Sequence, residues 1–195
     1  MISIIVVTKR EELYSQKVMD CLASIDAACE VCEEPTEVLI TALPGRAAAI
    51  NTAALHLTGN ILVIVDSDCT VSKDFLSEVS EKGRNPYFIG GGVKWVRLSR
   101  YSVGILLWLL PIATRLLWKQ ITVGAFWVRK EVFLNLGGFQ SIDGDDIDFA
   151  LRLKKYAKQT HTKFESIKKA YITWSTRKFD IEGDWMWLHG GKIHS

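Results

Sequence analysis

The sequence has no internal repeat and no low-complexity tract, and its 48% apolar and 24% charged residues exclude the disordered class. No charged-then-apolar leader opens it. Met1–Thr8 runs straight into a strand pattern and Lys9-Arg10 follows, so a cytoplasmic location is expected. Cysteine is scarce, at positions 21, 29, 32 and 69. Cys29-x-x-Cys32 has the spacing of half a zinc site or a redox pair, but no second pair and no suitably spaced histidine follows. Structural or free thiols are the expectation.

The apolar stretch Tyr101–Thr114 is 14 residues long and contains Pro111. That is short of the roughly 20 residues a spanning helix needs. Trp108, Trp118, Arg100, Arg115 and Lys119 are flanks of the kind used by helices lying in a membrane interface. For residues 101–118 two readings stand, a buried core helix or a peripheral membrane contact. Acidic residues are absent from 82–130, which carries 9 bases, whereas 1–81 carries 13 acids and 5 bases. Either an anionic partner meets this middle segment or it forms a solvated basic face. Nucleic acid is not the expected partner.

The 195 residues suit one domain with a sizeable core. ISIIVVT (2–8), EVLIT (37–41) and ILVIV (61–65) read as strands, and Leu13–Ala28 and Arg46–Leu57 as the helices between them. Strands apolar throughout and alternating with helices predict an α/β fold, Rossmann-like, with a mostly parallel central sheet covered on both faces. Ligands of such sheets lie beyond the carboxyl ends of the strands, which gathers Thr8-Lys9-Arg10, Thr41–Arg46 and Asp66-Ser67-Asp68 on one rim. Further on, Lys73–Glu81 reads as a helix, 87–98 as a strand broken by glycines, and 125–139 as a strand end entering a helix. A last helix is expected to be capped by Asp145 or Asp146, with an acidic first turn and a basic last turn.

Two aspartates one residue apart at a strand end repel each other unless a cation or a set of donors lies between them. A divalent metal, Mn or Mg, accepts such a pair completed by phosphate oxygens. Turn-forming, capping aspartates are the plainer alternative. Asp66-Ser67-Asp68-Cys69-Thr70 also satisfies D-x-D-x-T, the pattern of haloacid-dehalogenase-like phosphatases with Asp66 as nucleophile. Against that, the nucleophile strand should come first in the chain, and the late acidic motif, faintly matched by Gly144-Asp145-Asp146, should follow a strand.

The order of blocks along nearly the whole chain resembles family 2 of the inverting glycosyltransferases, which have the GT-A fold. ISIIVVTKRE is similar to that family's strand and loop at the nucleotide base. GRAAAINTAALHLTGNILVIVDSDCTVS follows its glycine-basic pair, alanine-rich helix and apolar strand into D-x-D. GAFWVRKEVFLNLGGFQSIDGDDIDFALRL resembles its acceptor-side block, with Gly-Gly-Phe and an acidic pair. ITWSTRKFDIEGDW resembles the Ser-x-Arg-Arg-Phe stretch of membrane-associated members.

The resemblance implies one GT-A domain over 1–195, with a nucleotide-binding half at 1–81 and an acceptor-binding half at 82–195. It implies a nucleoside-diphosphate sugar as donor. The apolar, tryptophan-bearing segment with basic flanks suits a polyprenyl phosphate acceptor at the cytoplasmic face of a membrane, and a soluble glycan or protein acceptor is the alternative if that segment is core. In it Asp68 ligates the metal, Asp66 reaches the ribose or a metal-bound water, and Ser67 is the spacer. Arg46, Arg177 and Lys178 offset charge on the departing diphosphate. Asp146 is the base, with Asp145 as its substitute, and His189 is a candidate metal ligand. Asp148 is expected to pair with Arg152. Most members carry an acidic, glycine-containing loop after the second strand. Here Ala42-Leu43-Pro44 leads directly to Gly45-Arg46, so base recognition is expected from Thr8, Lys9, Arg10, Glu11 and the backbone. A noncatalytic nucleotide-sugar-binding module is the remaining alternative.

Overall fold

The computed structural model describes residues 1–102, 105–106 and 124–184. Trp108, Arg115, Trp118, Lys119 and His189 lie outside them, as do the side chains of Arg177 and Lys178. The chain begins with β1 (Ile2–Val7), a 3-10 turn (Arg10–Glu12), α1 (Gln16–Val31), β2 (Thr36–Thr41), α2 (Arg46–His56) and β3 (Ile61–Asp66). Then follow β4 (Cys69–Val71), α3 (Phe75–Arg84), β5 (Phe88–Leu98), β6 (Ala125–Arg129) and α4 (Lys130–Asn135). The described chain closes with α5 (Asp145–Gln159), β7 (Lys163–Phe164), β8 (Ile167–Trp174) and α6 (Arg177–Glu182). The strands form one sheet in the order β2-β1-β3-β6-β5-β8-β4, with β7 beside β5.

β1 is parallel to both β2 and β3, as the strand-helix-strand order predicts. From β3 onward the sheet is mixed: β6 runs antiparallel to β3 and β5, and β4 antiparallel to β8. The apolar strands follow from covered faces. Ile2, Ile4 and Val6 of β1 pack with Cys21, Ile25 and Ala28 of α1, while Ile5 packs on the other side with the α2 alanines and with Phe149 and Leu153 of α5. Alternate residues of β1 and β3 thus enter different cores, so both faces of these strands are mainly apolar, with Ser3 of β1 the buried polar exception. The short β4 and β7, and the eight-residue β8, are not foreseen by the sequence pattern.

Among the described residues, several of the bases in 82–130 are engaged by other groups of the protein. Arg84 pairs with Glu33 and Glu34, and Arg100 with Asp180 and Asp184. Arg129 donates to the carbonyls of Gly83, Asn85 and Phe88, and Lys130 Nζ to that of Leu57. The expected anionic partner therefore meets fewer free cations than the count implies. All four cysteines are free thiols; burial pushes Cys21 up to about 12 and Cys69 well above its ordinary range. Both are held in the unreactive protonated form.

Glu37 of β2 ties the start of the sheet together. Its Oε1 accepts from Ser3 Oγ at 2.6 Å, Thr58 N at 2.6 Å and Gly59 N at 2.9 Å. The Ser3 hydroxyl is the largest cause holding this carboxyl at about 2 instead of its ordinary 4.5, against an opposing effect of burial. A depressed carboxylate contributes its full stabilisation above the unfolded value and loses it as pH falls toward the folded one. Discounted for solvent screening, this amounts to about 1–2 kcal/mol. Denaturant titrations between pH 5 and pH 2 are expected to show the wild type losing that much more stability than Glu37→Ala.

Candidate active site

The register of the parallel strands assembles one rim. Val7 stands opposite both Thr41 and Asp66, so the carboxyl ends of β1, β2 and β3 are level. Thr8 N donates to Thr41 O and Ser67 N to Val7 O, which continues the rim past the strand ends. Thr8 and Ser67 are buried, while Lys9, Arg10 and Glu11 project into solvent.

Arg46, the first residue of α2, joins this rim to the far half of the chain. Its Nη2 lies 2.9 Å and its Nε 3.3 Å from Asp66 Oδ1, and its Nη1 lies 2.7 Å from Asp145 Oδ1. Burial disfavours the guanidinium charge, but Asp66 and Asp145 outweigh it and hold Arg46 firmly cationic. The guanidinium also sits 5.3 Å from the Phe139 ring centroid, a cation–π contact. Burial pushes the Asp66 carboxyl up, Arg46 opposes this, and the neighbouring charge of Asp68 adds to it.

The acidic pair opens α5, but neither aspartate caps the helix as expected. Gly144 occupies the cap at φ 73°, in the left-handed region. A residue without Cβ adopts this at little cost, and it leaves both aspartates in the first turn where the helix dipole favours negative charge. Asp145 is committed to Arg46. Asp146 instead lines a pocket with Arg46, Ile64, Gly124, Ala125, Phe126 and Phe139. Its Oδ1 accepts from Ile147 N at 2.8 Å, and burial, the largest influence, raises its pKa above the ordinary aspartate range. A half-buried carboxylate with raised basicity at a pocket wall suits proton abstraction.

The loop carrying Phe139 is clamped from both sides. Asn51 Nδ2 donates to Phe139 O and Asn51 Oδ1 accepts from Phe139 N, each at 2.9 Å. Arg152 donates to Leu136 O and Gly138 O at 2.8 Å while pairing with Asp148 at 2.7 Å, so the expected Asp148–Arg152 pair is present and anchors the loop. Gly138 has φ +68°, and a Cβ there would lie 2.2 Å from Asn51 Oδ1. Phe139 then stacks on Phe149 of α5 with centroids 4.7 Å apart. Asn51, Phe139 and Arg152 thereby fix where Arg46 and α5 meet. Phe139 and Asn51 had no site role in the sequence reading. Their only signal was the Gly-Gly-Phe block and an asparagine in an alanine-rich helix.

Asp68 is held differently. Its Oδ2 accepts from Trp174 Nε1 at 3.0 Å, its backbone O accepts from Ser175 N at 2.9 Å, and the Cys69 thiol lies 3.5 Å from Oδ1. Among the described residues no three His, Cys, Asp or Glu side chains converge as a metal cage. Two hard carboxylates on one strand end nonetheless fit Mg or Mn, which take one or two protein carboxylates with the remaining oxygens from phosphate and water. The phosphatase arrangement fits less well. Asp66 ends the third strand, Thr70 is drawn into β4, and Gly144-Asp145-Asp146 opens a helix instead of following a strand.

The fold is shared with solved glycosyltransferase structures. The mannosyltransferase of Pyrobaculum calidifontis, in complex with GDP-Man and Mn2+, superposes with a TM-score of 0.61 at 16% identity over 88% of this chain and 56% of its own. For glucosyl-3-phosphoglycerate synthase of Mycobacterium tuberculosis, in complex with Mn2+, UDP-Glc and phosphoglyceric acid, the TM-score is 0.62 at 15% identity, over 94% and 74%. S. aureus TarS 1-349 gives 0.60 at 15% identity, over 93% and 62%. The chain thus spans little more than half the length of the mannosyltransferase. No curated protein matches the sequence significantly. The architecture is that of the GT-A fold, and residues 23–132 match the family model described as glycosyl transferase family 2. The chain belongs to glycosyl transferase family 2.

Proposed function

We propose that the chain transfers a sugar, with inversion, from a nucleoside-diphosphate sugar to an acceptor hydroxyl or phosphate, with Mn or Mg bound at the D-x-D aspartates. The observation that carries this reading is the Arg46 bridge from Asp66, at the sheet rim, to Asp145, beside the pocket that Asp146 lines. Residues 1–81 then form the donor half and 82–195 the acceptor half. Asp68 and Asp66 hold the metal, which when bound offsets charge on the departing diphosphate. Arg46 adds a fixed positive charge there, and its firm protonation keeps that charge through any working pH. Asp146 takes the acceptor proton. Asp145, already engaged with Arg46, serves to hold that arginine.

Titrating UDP and GDP with Mn2+, with and without a chelator, tests the metal reading. Binding is expected to require the metal and to fall at least tenfold in Asp68→Ala. Binding indifferent to both chelator and substitution refutes the metal assignment.

A lipid-linked acceptor, such as a polyprenyl phosphate at the cytoplasmic face of a membrane, suits the surface around β5. Trp95, Val96, Tyr101 and Leu106 are exposed, with Lys94 over the Trp95 ring and Arg97 over that of Tyr171. Among the described residues no helix is long and apolar enough to cross a membrane, and the contact considered is a peripheral one. Flotation with vesicles containing anionic lipid is expected to carry the protein upward at low salt. Complete retention at the bottom of the gradient sinks the membrane reading.

A further inference from the structure

We propose that Trp174 is a positioning residue for Asp68, fixing which carboxylate oxygen faces the metal; this rests on the reading of Asp68 as a metal ligand. The indole Nε1 of Trp174 donates to Asp68 Oδ2 at 3.0 Å, and the next residue donates its backbone N–H to Asp68 O at 2.9 Å. Side chain and main chain of Asp68 are thus both addressed by one strand end. An aspartate terminal torsion is broad, so an unheld carboxylate samples many orientations. A donor fixed on Oδ2 limits that freedom, and Oδ1, which takes only the longer 3.5 Å contact from the Cys69 thiol, is the oxygen turned to a cation. The indole donor also offsets the repulsion between Asp66 and Asp68 before a metal arrives.

Trp174 can act this way because its strand cannot slide. Cys69 stands opposite Trp174 in the antiparallel β4–β8 pair. Ser72 bonds Tyr171 through both its backbone N–H and its hydroxyl. Upstream, the β5–β8 register shifts between Val93 and Trp95, and Glu78 of α3 accepts from the backbone N–H groups of Lys168, Lys169 and Ala170 at 2.8–2.9 Å. The strand is therefore fixed at several points before it presents the indole.

The test reads Mn2+ binding directly, from the electron paramagnetic resonance signal of free Mn2+ with GDP or UDP present. Trp174→Phe keeps the ring and loses the donor, and it is expected to weaken Mn2+ binding about 10-fold or more. Trp174→His, which keeps a ring N–H, is expected to recover most of that loss. All measurements are made well below each variant's melting temperature. Mn2+ affinity within twofold of wild type in Trp174→Phe, while Asp68→Ala loses it, overturns the positioning role and leaves the metal site standing. Equal losses in the Phe and His variants also overturn it, since packing alone then explains both. Undiminished Mn2+ affinity in Asp68→Ala removes the metal reading itself.

Discussion

Asp146→Asn is expected to leave Mn2+-dependent nucleotide binding within about twofold of wild type and to lower the transfer rate by about 10²–10⁴-fold, the usual contribution of a general base. Asparagine keeps the shape and still accepts from Ile147 N, so the first turn of α5 stays in place. What it loses is a basic oxygen at the pocket wall. Asp145→Asn is expected to act differently, because its partner is Arg46 at 2.7 Å; donor binding falls along with rate. Since burial raises the Asp146 pKa, the wild-type rate should fall on the acid side at a pH above that of an ordinary aspartate. A rate profile flat through the range from pH 4 to pH 7, or an Asp146→Asn variant of full activity, refutes the assignment. Metal-dependent binding with no transfer to any acceptor would instead favour the noncatalytic module.

Glu78→Ala is expected to cause the largest loss of stability. The side chain is buried and satisfies three consecutive backbone N–H groups where β8 bulges away from β5. Removing the carboxylate leaves those donors partly or wholly unpaired, at about 1 kcal/mol or more each, so roughly 3 kcal/mol in all. In a chain of this length that is a fall of about 6–12 °C in Tm by calorimetry. Glu78→Gln keeps one strong acceptor and should lose about half as much. A Tm unchanged in the alanine variant would mean the bulge finds other partners.

Much of the fold was legible because its strands obey simple rules. ISIIVV and ILVIVD are apolar without alternation, and two separate cores claim their alternate residues. The rim was legible for the same reason, since parallel strands end level. Elements made by pairing alone were not. β4 is three residues and β7 two, and β8 carries Lys168, Lys169 and Tyr171 in a pattern that gains meaning only from Glu78 and β5. The aspartates and Arg46 could be picked out, and the resemblance set Asp146 ahead of Asp145 as the base, but the Arg46–Asp145 pairing could not be read from the sequence. Asp145 and Asp146 are the same residue type, adjacent, and only the position of Arg46 separates the carboxylate bound to it from the one at the pocket wall.

The groups that orient the site are drawn from opposite ends of the chain. Arg46 and Asp145 are 99 residues apart, and Asp68 and Trp174 are 106 apart. Synthesis delivers the two aspartates of β3 long before their holders, and loops of that length close late in folding. A nascent chain halted before β8 already contains the whole donor rim, yet it lacks the indole that orients Asp68 and the strand that seals β4. The hydrogen bonds that hold Asp68 therefore form only after β8 has been made.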